Sequence, residues 1–369
     1  MTGTPENPNL IRRSWPGLGA RMATPLLKPV LRLFRKTSAG QKSPLIVFQS
    51  YLVGDFFMAL PALKILSREI QIEVLCRQDC VELLRREGLK GIVFDNGFFL
   101  RPGLGSFFRT FRSAWKLRGQ LGGVALDFDA DPRTAFWLKI AGVSKIISYS
   151  RAHAELFDVL FPINAGAIHQ EDKNLAVASG FLEQHLALNP DSEMARPSSA
   201  ASLPDWRIPA SDFWIISCWT RKDTKNWPLN RWEQFLDKLS AAGIPFRILK
   251  APDGDAAFRE FQSRRPDYSF IRGSLAQIAE QVQASNGVIT TDNFIGHMAA
   301  YYSKRVLWIN GSSDPRQVLP RGPKTLSVQI DPMPCRPCGH RCVNPDYKAC
   351  LNHLEAEDVW NAFEEIRRG

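Results

Sequence analysis

The sequence predicts an α/β protein of two units, each a parallel sheet with helices on both faces and with a cleft between the units. Three observations predict it. Short apolar runs of strand length alternate with helix-length segments through the first half of the chain. The alternation stops at residues 189–206 (NPDSEMARPSSAASLPDW), a Pro-, Ser- and Ala-rich stretch with little periodicity, and then it restarts. A chain of 369 residues, 44% hydrophobic and 23% charged, has ordinary globular composition and length for two cores.

Taken in order, residues 45–48 (LIVF) read as a buried strand and 49–54 (QSYLVG) as a loop. Residues 55–66 read as a helix interrupted at Pro61, because proline lacks the N–H that the helix ladder needs. Strands follow at 71–76, 91–94, 123–128 and 145–149, with helices at 80–87, 107–120, 133–141 and 169–183. Beyond the break come strands at 213–217, 246–249, 287–289 and 305–309, and helices at 232–241, 258–264, 275–284 and 357–367. The implied organisation is an arm at 1–43, a first unit at 44–188 and a linker at 189–206. A second unit at 207–345 and a C-terminal helical segment at 346–369 complete it.

The net charge of +10 suggests nucleic acid until it is located. Residues 1–42 hold eight Lys and Arg against Glu6 alone, so they carry +7 and leave +3 for the other 327 residues. A nearly balanced body argues against nucleic-acid binding by the fold. Residues 24–36 (TPLLKPVLRLFRK) interleave apolar and basic positions, which suits a helix on an anionic membrane surface, a solvated tail or a targeting peptide. No run approaches the length of a spanning helix, and no secretory apolar region is present, so a cytoplasmic location is expected.

Three stretches carry candidate chemistry. Gly54-Asp55 stands at the first strand-to-helix junction, where α/β folds place ligands; glycine would permit a tight turn and the aspartate could cap the helix. No GxGxxG follows that strand, which argues against a dinucleotide cofactor. In the second unit, residues 217–228 (SCWTRKDTKNWP) form a hydroxyl- and cation-rich loop after a buried strand. Thr220 and Thr224 could donate to a phosphate, and Arg221, Lys222 and Lys225 could neutralise it; a solvated basic loop is the plain alternative. Residues 290–300 (TTDNFIGHMAA) place Asp292 before a helix carrying His297. A carboxylate is better suited to accept hydrogen bonds from hydroxyls than to hold phosphate, and a helix cap with a packed histidine is again the plain alternative.

Together these stretches resemble glycosyltransferase family 9, the ADP-heptose:lipopolysaccharide heptosyltransferases, over most of residues 44–365. The resemblance rests on Gly54-Asp55 with Pro61-Ala62-Leu63, residues 124–128 and 133–142, and His169 with Asn174-Leu175-Ala176. It continues through Lys225-Asn226-Trp227-Pro228, Gly273-Ser274-Leu275, Asp292 with His297-Met298-Ala299-Ala300, and Asp314-Pro315. It implies a GT-B fold, two Rossmann-like domains facing each other across a cleft. It also implies an inverting, metal-independent transfer of a heptose or related sugar from an ADP-sugar to a lipopolysaccharide core or similar lipid-linked glycan. On this resemblance Asp55 is the general base beside Gly54 on the acceptor side. Lys225 with Thr220 and Thr224 stabilises the leaving diphosphate. Asp292 and His297 lie at the donor sugar, and the backbone of Asn293, Phe294 and Ile295 faces the phosphates. Asp253 or Asp255 is a candidate for the ribose. The anionic membrane surface would be met through residues 1–43, on the cytoplasmic face of the inner membrane.

One departure matters. Where the family carries Asp-Thr-Gly, this chain has Asp292-Asn293-Phe294, and phenylalanine at a position of positive φ would be strained. The turn is then reshaped, the donor nucleotide differs, or the protein binds a nucleotide sugar or glycan without transferring it. Seven cysteines argue against a full disulfide framework. Cys335, Cys338, Cys342 and Cys350, with His340 and His353 nearby, have the spacing of a candidate structural zinc site, against the alternative of reduced thiols in a packed loop.

Overall fold

The computed structural model describes residues 45–49, 52–95, 97–100, 103–121, 123–149, 156–163, 168–188, 211–250, 256–338 and 341–368. The basic arm, the interdomain linker, Asp253, Asp255 and His340 lie outside them. The chain divides into two compact units, with the boundary between Trp206 and Arg207.

The first unit holds a six-stranded parallel sheet of β1 (Leu45–Phe48), β2 (Ile72–Cys76), β3 (Lys90–Val93), β4 (Val124–Asp127), β5 (Lys145–Tyr149) and β6 (Val159–Phe161). Its order is β3-β2-β1-β4-β5-β6. Helices α1 (Val53–Glu69), α2 (Val81–Arg86), α3 (Gly97–Leu100), α4 (Leu104–Lys116), α5 (Pro132–Ile140) and α6 (Gln170–Leu188) connect the strands or cover them. The central strands are largely apolar because helices exclude water from both faces; β1 and β2 are buried at every position, with Glu73 of β2 paired to Lys90.

Helix α1 corrects two expectations. It runs unbroken through Pro61, and it begins at Val53 rather than Asp55. The proline removes only the bond to the carbonyl four residues back, while Phe56, Phe57, Met58, Ala59, Leu60, Ala62, Leu63 and Leu66 are all buried around it. That burial holds the helix together. On α6, Asn174 Nδ2 donates to the Met58 carbonyl at 3.0 Å, a buried polar contact that fixes α6 against α1.

The second unit repeats the plan with β7 (Trp214–Ser217), β8 (Phe246–Leu249), β9 (Phe270–Ile271), β10 (Gly287–Thr291), β11 (Arg305–Ile309) and β12 (Thr325–Val328). Their order is β12-β11-β10-β7-β8-β9, all parallel. Its helices are α7 (Leu229–Ala241), α8 (Ala256–Arg264), α9 (Leu275–Ala284), α10 (Phe294–Tyr301), α11 (Pro315–Val318), α12 (Ala349–Asn352) and α13 (Ala356–Arg368). Ser274 and Gln277 form a capping box at the start of α9. Gly287 opens β10 where a Cβ would lie 2.5 Å from the Arg305 carbonyl oxygen, so only glycine lets β10 and β11 approach. The terminal helix α13 belongs to this core: Phe363 meets the Trp214 ring edge-on at 5.0 Å, and the Trp227 indole donates to the Leu354 carbonyl at 2.9 Å.

In each sheet the strand order reverses once beside the first strand of the unit, between β1 and β4 and between β7 and β10. Open α/β sheets bind ligands at the carboxyl ends of the two strands flanking such a reversal, because the connecting loops diverge there. The fold therefore marks two places: the loops after β1 and β4, and those after β7 and β10.

Candidate functional site

In the second unit, β7 ends at Ser217 and β10 at Thr291, side by side in register. The loop after β7 carries Lys225, and the loop after β10 carries Asp292. The two meet, with Lys225 Nζ 2.7 Å from Asp292 Oδ2. Asp292 is only 5% exposed and Lys225 17%. Ser313, in the loop after β11, donates its hydroxyl to the same Asp292 oxygen. Burial pushes the Asp292 carboxyl up, but the Lys225 ammonium, hydrogen bonds from Lys225 and Ser313 and the nearby His297 outweigh it. The net effect holds this carboxyl below the ordinary carboxylate range. A buried carboxylate and a partly exposed ammonium are thus fixed together at the second reversal point.

The turn after Asp292 settles the expectation of strain. Asn293, not Asp292, caps α10; its Oδ1 accepts from the Ile295 N–H at 2.9 Å, and its Nδ2 donates to Ser217 Oγ at 2.9 Å. Phe294 is the first residue of α10 and does not take a positive φ. A capped helix start stands where a tight turn was expected, so phenylalanine costs no backbone strain. The same geometry corrects the role expected for Ile295, whose N–H is already taken by the cap and does not face a phosphate. His297 is buried one turn further on.

The loop after β7 holds its shape through its own hydrogen bonds. Asn226 accepts from the Thr220 N–H at 2.7 Å and donates back to the Thr220 carbonyl at 3.1 Å. The Thr220 hydroxyl is engaged with Lys222 within the loop, donating to its carbonyl and accepting from its N–H. Thr224 is buried, and its hydroxyl has no partner among the described residues. An unsatisfied buried hydroxyl costs stability unless something accepts from it. From the far side, Tyr347 and Lys348 hold Asp223 at 2.7 and 3.0 Å. Arg221 and Lys222 are exposed.

In the first unit, Gly54 and Asp55 occupy the first turn of α1, immediately after the β1 loop. Gly54 therefore has helical backbone angles and makes no tight turn, and Asp55 is not the cap, which is Leu52. Asp55 is half-buried at the amino end of the helix, where the dipole favours a negative charge. Beside it in the fold, β4 ends at Asp127, in register with Phe48 of β1. Asp127 is fully buried and accepts from the Thr134 hydroxyl and, at 2.9 Å, from the Asp129 N–H. Burial dominates these bonds and pushes the carboxyl up to about 7.

The Asp127 shift has a testable consequence. An unfolded aspartate titrates near pH 3.9. Between about pH 4 and pH 7 the folded state keeps a proton that the unfolded state has lost, so this stabilisation is full below pH 4 and is lost as pH rises through 7. Asp127→Asn, which stays neutral, should therefore lose less stability between pH 5 and pH 8 than the wild type in urea unfolding. Equal losses in the two proteins would remove this role.

The cysteine cluster is brought together without forming a metal centre among the described residues. Cys350 is raised by burial and then by Cys338, Cys335 and Cys342, while the Arg336 guanidinium opposes them. No group of three His, Cys, Asp or Glu among the described residues is placed to hold a metal ion. Asn344 Nδ2 lies 3.8 Å from Cys335 Sγ, the Lys348 N–H donates to Cys342 Sγ at 3.2 Å, and His353 turns to Asp346 at 2.8 Å. The zinc expectation gains no support from this arrangement. The segment instead braces the site: the Cys338 N–H donates to the Ser312 carbonyl and Arg336 Nε to the Gly311 carbonyl, just before Ser313.

Known proteins share this fold. The model of glycosyltransferase family 9 (heptosyltransferase) matches residues 111–348. No curated protein matches the sequence. The fold is similar to that of ADP-heptose lipopolysaccharide heptosyltransferase II of E. coli, with a TM-score of 0.64, 15% identity, and coverage of 88% of this chain and 98% of that one. It is also similar to E. coli heptosyltransferase WaaC with ADP-2-deoxy-2-fluoro heptose, at 0.65, 15% identity and 87% and 99% coverage. A glycosyl transferase family 9 protein from Veillonella parvula gives 0.66, 14% identity and 90% and 99% coverage.

Proposed function

Because the chain belongs to glycosyltransferase family 9, we propose that it moves a heptose from an ADP-linked donor to a lipopolysaccharide core or a related lipid-linked glycan, with inversion at the anomeric carbon. The observation that carries this reading is the Lys225–Asp292 pair at the reversal point of the second sheet. An ammonium has three N–H donors. One bond to Asp292 leaves two for the oxygens of a diphosphate, so Lys225 can serve both without breaking the pair.

Asp55 takes the proton of the acceptor hydroxyl as that oxygen bonds to the anomeric carbon from the face opposite the diphosphate. The bond from the anomeric carbon to the diphosphate oxygen breaks, and ADP leaves with the electron pair. Lys225 neutralises the charge growing on the diphosphate, in the place a divalent metal fills in other transferases. The Thr224 hydroxyl supplies a further donor, and Asp292, ionised at neutral pH, accepts from hydroxyls of the donor. The similarity to an ADP-heptose heptosyltransferase and to one bound to ADP-2-deoxy-2-fluoro heptose supports the choice of nucleotide and sugar. A lipid-linked acceptor brings the enzyme to the cytoplasmic face of the membrane, and the basic arm at residues 1–43 suits that surface. No helix among the described residues is long and apolar enough to cross it.

The test is thermal melting with ADP, UDP, GDP and TDP and their sugars. A ligand that binds only the native state stabilises it by about 2.7 kcal/mol at a hundred times its Kd, which raises the melting temperature by several degrees. ADP and ADP-heptose alone should do so. A shift with a different nucleotide would replace the donor, and no shift with any would overturn the reading.

A further inference from the structure

Helix α4 presents an outer face that nothing in its own unit covers. Leu104 is 80% exposed, Phe108 64% and Trp115 49%, the three most exposed large apolar side chains among the described residues of the first unit. At about 100° of turn per residue, these three fall within roughly 40° of one another on the helix. Arg112, Lys116 and Arg109, all exposed, follow in the adjoining arc. The helix contains no acid. Arg109 has Asp95 at 3.8 Å, while Arg112 and Lys116 form no ion pair among the described residues.

The apolar side chains are held in place. Trp115 stacks on Phe111 at 5.8 Å with the Arg118 guanidinium 5.3 Å from its ring. Phe108 meets Phe107 edge-on at 5.8 Å, and Phe107 packs in turn on buried Trp137 at 5.2 Å. Ser106, Thr110 and Ala114 form the buried face. Phe107 and Phe111 pack against the core as well, so the apolar surface of the helix continues past its buried face onto the outer one. Exposing these rings to water is unfavourable, and a contiguous apolar patch of this kind marks an interaction surface.

We propose that α4 is a membrane-docking helix that lies in the plane of an anionic lipid surface. Leu104, Phe108 and the Trp115 ring enter the headgroup boundary, while Arg109, Arg112 and Lys116 meet lipid phosphates. Charge complementarity selects this occupant: three cations on a helix with no acid of its own, two of them without an ion pair among the described residues, beside a strip of Leu, Phe and Trp match an anionic interface, where tryptophan settles with its N–H in the polar layer. The inference does not depend on sugar transfer, which can be assayed on a water-soluble acceptor without any membrane.

The experiment is co-sedimentation of the full chain with vesicles of phosphatidylcholine alone and with 30% phosphatidylglycerol. Each cation near such a surface contributes about fivefold to binding. Arg112→Glu/Lys116→Glu is therefore expected to weaken binding to the anionic vesicles by more than tenfold. Phe108→Ser/Trp115→Ser is expected to weaken it at least tenfold as well. All four positions are exposed, so the melting temperature should stay within a degree or two of the wild type. Binding unchanged in both variants would overturn the proposal and assign any vesicle affinity to residues 1–43. So would a wild type that ignores vesicles but self-associates through this face, read as a dimer that Phe108→Ser/Trp115→Ser dissolves.

Discussion

Lys225→Ala is expected to lower both the stability and the turnover of the protein, by separate routes. Removing the ammonium leaves the Asp292 carboxylate buried with Ser313 as its main remaining donor. Breaking a buried ion pair from one side costs about 3–5 kcal/mol, and the partial exposure of Lys225 puts this case near the lower end. The effect depends on pH with a definite sign. Asp292 titrates below its usual range in the fold, so its contribution is present at neutral pH and is lost as pH falls through the depressed value. The difference between wild type and variant should therefore shrink below about pH 4, where the unfolded aspartate takes up its proton. Turnover should fall by about 10²–10³, the usual loss when a group stabilising transition-state charge is removed. Lys225→Ala/Asp292→Asn separates the two effects. Without a buried charge to strand, the double variant should recover most of the stability in urea unfolding at pH 7 and none of the turnover. Recovery of both would reduce the pair to a structural element.

Much of the fold was legible because central parallel strands are buried on both faces and so read as mostly apolar runs: LIVF, QIEVLC, FWIIS and RVLWI. The strands that escaped notice were β6, β9 and β12, of three, two and four residues, and all three lie at sheet edges with every position only partly buried. An edge strand has one neighbour and less apolar surface to hide, so its local signal is weak. In the site, Lys225 and Asp292 could be singled out because each follows a central strand, which is where α/β folds put chemistry. Ser313 was missed because a serine after a strand is ordinary loop composition; its position just after β11 was the available signal. The helix cap was placed one residue early because Asp292 and Asn293 are both strong capping types, and only the hydrogen bond to Ile295 distinguishes them. Asp127 looked like a strand end, and its burial depends on helix α5 folding Thr134 over it, which no local pattern reveals.

In the proposed transfer, Asp55 is the group that takes the acceptor's proton. Asp55 lies in the first turn of α1, the helix that follows β1, and β1 flanks the reversal point of the first sheet. A general base contributes about 10²–10⁴ to the rate, and asparagine keeps its shape while giving up the ability to take a proton. Asp55→Asn should therefore fold as the wild type does and keep its stabilisation by ADP, which depends on Lys225 in the other unit. The decisive measurement is the rate of ADP release from ADP-heptose with a lipopolysaccharide-core acceptor, by wild type and Asp55→Asn in parallel, with the anomeric configuration of the product read by NMR. The account predicts an inverted product from the wild type and a loss of at least a hundredfold in the variant with its ADP-induced thermal shift unchanged. A retained configuration, or an Asp55→Asn enzyme that turns over at the wild-type rate, would contradict it.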